Sequence, residues 1–263
     1  MHPRLLQFGH YAIPTYGAFT ALALVAALAA LVHFSRRLAL DPNKIWNLGV
    51  IGILTTLIAA RLLLVAAYFT AFRQHPVWIL GLTSNRSLWI DTVAVLLGFA
   101  AAILYALAEG VPILRMLDCI APAAALALVL NRTGAFLSGV DYGLPAAHAW
   151  GITYTSRIAA LWYRTPLGVS LYPVQLYEAA ASLAILGVLA WWLPRRTQDG
   201  ELWGAWLFLS GFAGFFLNFY RASAHSQWIL PQPVAVLMVI ASAAFLLRRK
   251  SGGYTVGNDS PRT

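Results

Sequence analysis

Several uninterrupted apolar runs in this chain reach the length of a membrane crossing, and that one feature excludes most folds. A span needs roughly 20 predominantly apolar residues to cross about 30 Å of hydrocarbon. Runs of that order cover residues 15–34, 45–69, 88–107, 113–130, 174–193, 202–220 and 229–247. The composition agrees: 60% of the residues are hydrophobic and 10% are charged. A soluble domain carries about a quarter charged residues, so too few remain here to cover a surface in water. Inside hydrocarbon the backbone must satisfy its own hydrogen bonds, and these lengths suit helices rather than tilted strands. The expected fold is therefore all-α, a polytopic membrane helix bundle of about seven spans within residues 1–250.

The net charge of +9 does not point to nucleic acid, because the basic residues stand at the ends of apolar runs. That placement suits anionic lipid headgroups and sets orientation. Arg36, Arg37 and Lys44 follow the first run, Arg195 and Arg196 the fifth, and Arg248, Arg249 and Lys250 the last; with Arg115 and Arg262 they make ten. The opposite side collects seven scattered arginines: Arg4, Arg73, Arg86, Arg132, Arg157, Arg164 and Arg221. Basic residues favour the cytoplasmic side, so the N-terminus is expected outside and the C-terminus in the cytoplasm. The first apolar run is too long for a cleavable signal peptide. The single cysteine, Cys119, allows neither a disulfide within the chain nor a cysteine metal cluster, and reads as a small buried hydrophobe. Residues 71–87, with His75 and Pro76, read as an interfacial helix, and 131–173 as a long, functional outer arm containing Trp150, Tyr154, Trp162 and Tyr163. The polar stretch 251–263 is expected to be a disordered cytoplasmic tail. No internal repeat is visible.

A charge inside a bilayer costs about 2.5–3.5 kcal/mol on insertion scales, so each one needs a reason. Arg61, Asp91, Asp118, Glu178 and Arg221 lie within or at the ends of the runs. Arg61 reads as half of a structural ion pair with Asp118, Asp91 or Glu178. Arg132 opens a stretch holding Gly134, Gly139 and Gly143. Glycines past a helix end let the backbone approach a ligand, and the planar guanidinium fork suits phosphate. Together they suggest an anion site at the membrane surface, for which a phospholipid headgroup is the obvious ligand. His75, His148 and His225 lack helical metal-ligand spacing, so no metal is expected. No Gly-x-Ser-x-Gly elbow supports a serine hydrolase, and no paired halves with broken helices support a transporter.

At these residues the chain resembles the prolipoprotein diacylglyceryl transferases. Arg132-Thr133-Gly134-x-Phe136-Leu137-x-Gly139, followed by Tyr142-Gly143, is similar to the family's signature. Leu117-Asp118-Cys119-Ile120-Ala121-Pro122 resembles its Asp-x-Ile-Ala-Pro entry, and Ala149-Trp150-Gly151-Ile152 its Pro-Trp-Gly-Val. Tyr172-Pro173-Val174-Gln175-Leu176-Tyr177-Glu178 resembles His-Pro-x-Gln-Leu-Tyr-Glu. Tyr16-Gly17, Ala60-Arg61-Leu62, His75-Pro76, Phe219-Tyr220-Arg221 and Ser226-Gln227-Trp228 match further segments in family order.

The resemblance implies an enzyme of the bacterial plasma membrane that acts on phosphatidylglycerol and prolipoprotein signal peptides, as a monomer and without a cofactor. It would transfer the diacylglyceryl group to a cysteine thiol, form a thioether and release glycerol phosphate. Arg132 and Arg221 would then stabilise the departing phosphate. Tyr16, Gly134, Gly139, Tyr142, Gly143, Gln175 and Glu178 would bind substrate. The sequence also departs from the family. Its His-Gly-Gly segment, whose histidine is proposed to deprotonate the thiol, is Leu88-Trp89-Ile90-Asp91-Thr92-Val93 here. Its Asn is Ala135, its Glu is Val140 or Asp141, its Glu before Phe-Phe-Arg is Asn218, and its His before Pro is Tyr172. Asp91 is then either a replacement base or a partner of Arg61, or the arginines alone lower the thiol's pKa. A working transferase and a diverged paralogue that binds phospholipid without chemistry, or modifies another acceptor, both remain open.

Overall fold

The computed structural model describes residues 2–8, 11–74, 88–147, 151–222 and 231–252. Nine α-helices lie among the described residues: α1 Thr15–Arg37, α2 Pro42–Ala67, α3 Phe69–Gln74, α4 Leu88–Ala108, α5 Ile113–Ser138, α6 Arg157–Tyr163, α7 Val174–Trp192, α8 Glu201–Leu217 and α9 Pro231–Gly252. Six helices are long and apolar enough to cross a membrane, and the apolar stretch Gln232–Leu246 of α9 is a shorter seventh. The chain is an all-α polytopic membrane protein. Two small antiparallel ladders accompany the helices: β1 Arg4–Phe8 with β2 Tyr11–Pro14, and β3 Ile152–Thr153 with β4 Ser170–Leu171.

Burial in the long helices is inverted relative to a soluble protein. Only 6% of the apolar window of α2 is buried, and Leu54, Leu57, Ile58 and Leu62 stand exposed along it. A patch of that size would drive aggregation in water; in a bilayer it faces a matching solvent. The helix ends carry local stop and start signals. Asp41 caps α2 by accepting a hydrogen bond from the Asn43 amide at 2.9 Å, with Pro42 in the first turn. Arg36 and Arg37 close α1, where cations complement the helix dipole.

The chain divides into two compact units, 28–119 and 1–27 with 120–263. In the first, α2 packs along α4 through small residues. A side chain on Gly98 would collide with the Thr56 side chain and the Gly52 carbonyl, so the two backbones approach closely, as in other membrane helix pairs. Leu64, Phe72 and Ile90 form a buried cluster beside them, and the Arg61 guanidinium lies over the Phe72 ring at 5.6 Å. Cys119 is fully buried, its thiol 3.2 Å from the Leu31 carbonyl. In the second unit, α8 packs between α7 and α9, and Gly134 of α5 seats the Phe19 side chain of α1.

Two expectations about extents change. Helix α5 does not stop at 130 but runs to Ser138, so Arg132-Thr133-Gly134 lies inside a helix rather than past its end. Helix α9 continues through Ser251 and Gly252 into the stretch read as tail. The outer arm holds β3, α6 and β4. The rest of that tail, the interfacial helix beyond Gln74, and His75, His148, Trp150, His225 and Gln227 lie outside the described residues.

Candidate functional site

The end of α5 carries the first functional side chain. Its last turns hold Asn131, Arg132, Thr133 and Ser138, polar residues that a free helix in lipid would have to satisfy. The Thr133 hydroxyl donates to the Val129 carbonyl at 2.8 Å and the Ser138 hydroxyl to that of Gly134 at 2.7 Å. Asn131 donates from Nδ2 to the hydroxyls of Tyr16 at 3.3 Å and Thr20 at 3.1 Å. These internal bonds let the helix run past the apolar segment. It ends at Gly139, whose φ of +82° is left-handed. There the Gly139 amide reaches Phe136 O at 3.3 Å and the Val140 amide reaches Ala135 O at 2.9 Å, the paired bonds of a Schellman cap. The Thr165 hydroxyl then reaches Gly139 O at 2.9 Å and Gln175 Nε2 donates to Val140 O at 2.7 Å, so the turn is held from outside as well.

Beyond the turn, short extended segments bring the other functional residues in. The Leu144 amide donates to Tyr220 O at 2.8 Å and the Ala222 amide to Tyr142 O at 3.3 Å, flanking a bridge between Gly143 and Arg221. On the other side the Tyr172 amide donates to Leu144 O at 3.0 Å and the Ala146 amide to Ser170 O at 2.8 Å. Gly143 is required in this ladder, because a Cβ there would fall on the Tyr172 carbonyl and the Val174 side chain. Tyr172 and Tyr220 lock the same segments with an edge-on ring contact at 5.2 Å. The segment ending at Arg221 and the entry to α7, four residues before Glu178, are thereby fixed to the segment that follows Arg132's helix.

The charges converge as a result. Glu178 lies between both arginines: Arg132 Nε is 3.0 Å from its Oε2, and Arg221 Nη2 contacts its Oε1. The Arg132 contact is an ion pair by distance, since Glu178 Oε2 accepts no aligned hydrogen bond. Arg132 Nη1 also donates to Asp141 Oδ2 at 3.1 Å. All four side chains are mostly buried. Burial, and then the neighbouring charge of Arg132, push the Arg221 guanidinium down to about 10, while Asp141 acts in the opposite sense. It is a cation throughout the neutral range. Two guanidiniums held against one shared carboxylate can take a phosphate in place of a carboxylate, since its geometry matches both forks.

Among the residues the sequence singles out, Arg132, Arg221 and Glu178 meet directly. Tyr16 is linked through Asn131, the residue before Arg132. Tyr142 donates from its hydroxyl to Arg164 O at 3.2 Å. Gln175 is fully buried and braces the turn; it also donates to the hydroxyl of Tyr154 at 3.3 Å. Burial raises the Tyr154 pKa above its ordinary value, and that hydrogen bond opposes the shift. Gly134, Gly139 and Gly143 make room for protein neighbours. Asp91 lies in the first turn of α4, in the unit 28–119, and is exposed. Of the partners considered for Arg61, Glu178 is taken by Arg132 and Arg221. Asn131, Asp141 and Thr165 are not among the sequence candidates. Asp141 enters that reading only as a departure from a family pattern; an acidic residue soon after an arginine-bearing helix end is the signal that points to it.

The family model described as prolipoprotein diacylglyceryl transferase matches residues 3–248. The chain is 25% identical over 221 residues to the phosphatidylglycerol–prolipoprotein diacylglyceryl transferase of Clostridium tetani, covering 84% of this chain and 86% of that protein. The protein of that name from Ruegeria pomeroyi is 27% identical over 232 residues, 84% of this chain and 78% of its own. The Synechococcus elongatus protein is 28% identical over 193 residues; there the match covers 72% of this chain and 64% of the relative, just under two thirds of it.

Proposed function

Since the chain belongs to the prolipoprotein diacylglyceryl transferase family, we propose that it transfers the diacylglyceryl group of phosphatidylglycerol to the cysteine thiol of prolipoprotein signal peptides. The observation that supports this most is the sharing of Glu178 between Arg132 and Arg221, which prepares two guanidiniums for one phosphate. In the reaction the thiol sulfur forms a bond to the glyceryl carbon and the bond from that carbon to the phosphate oxygen breaks. Glycerol phosphate leaves with the electron pair, and the thiol proton passes to a base. Arg132 and Arg221 donate charge-assisted hydrogen bonds to the phosphate as charge builds on it. Tyr16, oriented by Asn131, and Tyr142 are assigned to the headgroup. Gly134, Gly139, Gly143 and Gln175 serve substrate binding by holding the frame that carries these groups.

Proton acceptance is assigned to Asp91, which stands in the segment that replaces the family's His-Gly-Gly and is exposed in the first turn of α4. The enzyme is assigned to the bacterial plasma membrane as a monomer, with its N-terminus outside and its C-terminus in the cytoplasm. The dense basic clusters at one set of helix ends support that orientation.

The test is an intact-mass assay of purified protein in micelles with phosphatidylglycerol and a peptide bearing a signal-peptide cysteine. A peptide heavier by one diacylglyceryl group, absent with Arg132→Ala, is the expected result. No product beside an active family member would instead favour a paralogue that binds phospholipid without this chemistry, the reading suggested by the missing His-Gly-Gly segment.

A further inference from the structure

We propose that Asp141 is a placeholder for the phosphate: it occupies Arg132 in the empty site and is the carboxylate that substrate displaces. This inference rests on the phosphate reading of the cluster given above. Arg132 and Arg221 face Glu178 and Asp141, so the cluster is formally neutral. A phosphate arriving there meets no net positive charge and must exchange with a carboxylate. The two carboxylates are not equivalent. Glu178 touches both arginines and its side chain is 14% exposed, whereas Asp141 touches Arg132 and is 30% exposed. Removing Glu178 breaks two ion pairs and leaves two cations facing each other. Removing Asp141 gives up its contact with Arg132, and its more exposed carboxylate rehydrates more readily.

The backbone around Asp141 allows this exchange without a larger rearrangement. Asp141 has a φ of +54°, a conformation that aspartate tolerates and glycine prefers. Thr165 and Gln175 hold the carbonyls of Gly139 and Val140, and Tyr142 O is held by the Ala222 amide. With the main chain pinned on both sides, a side-chain rotation suffices to take the carboxylate off Arg132. Before substrate arrives, the same contact keeps the Arg132 fork from turning toward other acceptors. Asp141 is thus a positioning residue that sets how tightly the site takes a phosphate.

Equilibrium binding of a short-chain phosphatidylglycerol to the purified full-length protein in detergent, by calorimetry, tests the exchange without needing turnover. Asp141→Asn and Asp141→Gly should both lower Kd by about five- to tenfold, roughly what loss of one competing partly buried ion pair yields. Glycine accepts the backbone conformation, so the second variant keeps the fold even where the first does not. Inhibition of transfer by glycerol phosphate should strengthen by a similar factor, and Asp141→Glu should return both values toward those of the unmodified protein. A merely structural role would loosen binding instead. Equal or weaker binding by Asp141→Gly overturns the proposal. If phosphatidylglycerol binding tightens but no peptide is ever modified, the exchange stands and the transferase reading falls; if transfer proceeds and binding does not tighten, the exchange alone falls.

Discussion

The two compact units handle the cost of intramembrane charge in different ways. In the unit 28–119, α2 and α4 meet through small residues, Gly52 and Thr56 against Gly98, and the Arg61 guanidinium rests over an aromatic ring. Close backbone packing joins the two helices there, together with an ion pair between Lys44 and Glu109 at 3.1 Å at their ends. In the other unit, three ion pairs link α5, α7, the turn after α5 and the segment after α8, and short backbone ladders hold the ends of those elements in place. A charge in a bilayer therefore signals function most strongly where the backbone converges several on one point. Polar residues at a helix end are otherwise accounted for by reaching toward headgroups.

The largest expected effect separates the two regions directly. Arg221→Ala and Arg132→Ala should each lower kcat/KM for peptide lipidation by about 10²–10³, the cost of one oriented donor. Arg61→Ala should lower stability more than transfer, measured by thermal melting beside the same assay; equal rate losses for all three arginines would erase the distinction. Asp91→Asn should lower the rate by about 10², the lower range for a general base. An unchanged rate would reassign thiol activation to the arginine field.

Stability effects come next. Glu178→Ala leaves two facing cations without their shared counter-ion and should destabilise the protein by about 3 kcal/mol, read as a lower melting temperature in detergent. Glu178→Gln should lie between that variant and the unmodified protein. The smallest effect is a pH dependence. Arg221 titrates near 10 and is charged below that value, so phosphate-bearing ligands should bind evenly from pH 7 to 9 and weaken as pH rises through about 10. Weakening that begins near neutrality would place the controlling group elsewhere.

The sequence makes the spans legible because hydrocarbon thickness and apolar length are tied together. The helices start and stop within a few residues of the apolar runs, with one informative exception. Apolar character ends at Leu130, yet α5 continues to Ser138, because Asn131, Thr133 and Ser138 satisfy their polar groups on the helix itself or on Tyr16 and Thr20. Hydropathy carries no record of such side-chain bonds. Arg132, Arg221 and Glu178 stand out as charges in costly places, but their convergence does not, since it depends on the ladder around Gly143. Strands of two residues lie below the length at which alternation can be read. The pairing of Asp141 with Arg132 stays hidden for the same reason: it is set by a turn geometry, not by spacing along a helix.

The measurement that bears most directly on the cluster is a double-mutant cycle of Arg132→Ala and Arg221→Ala on kcat/KM, with protein abundance and melting temperature held as controls. Two guanidiniums acting on one phosphate form a unit, and losses within a unit do not add. The double variant should therefore lose little more than either single one. Losses that multiply in full would show two independent roles and contradict a shared phosphate site.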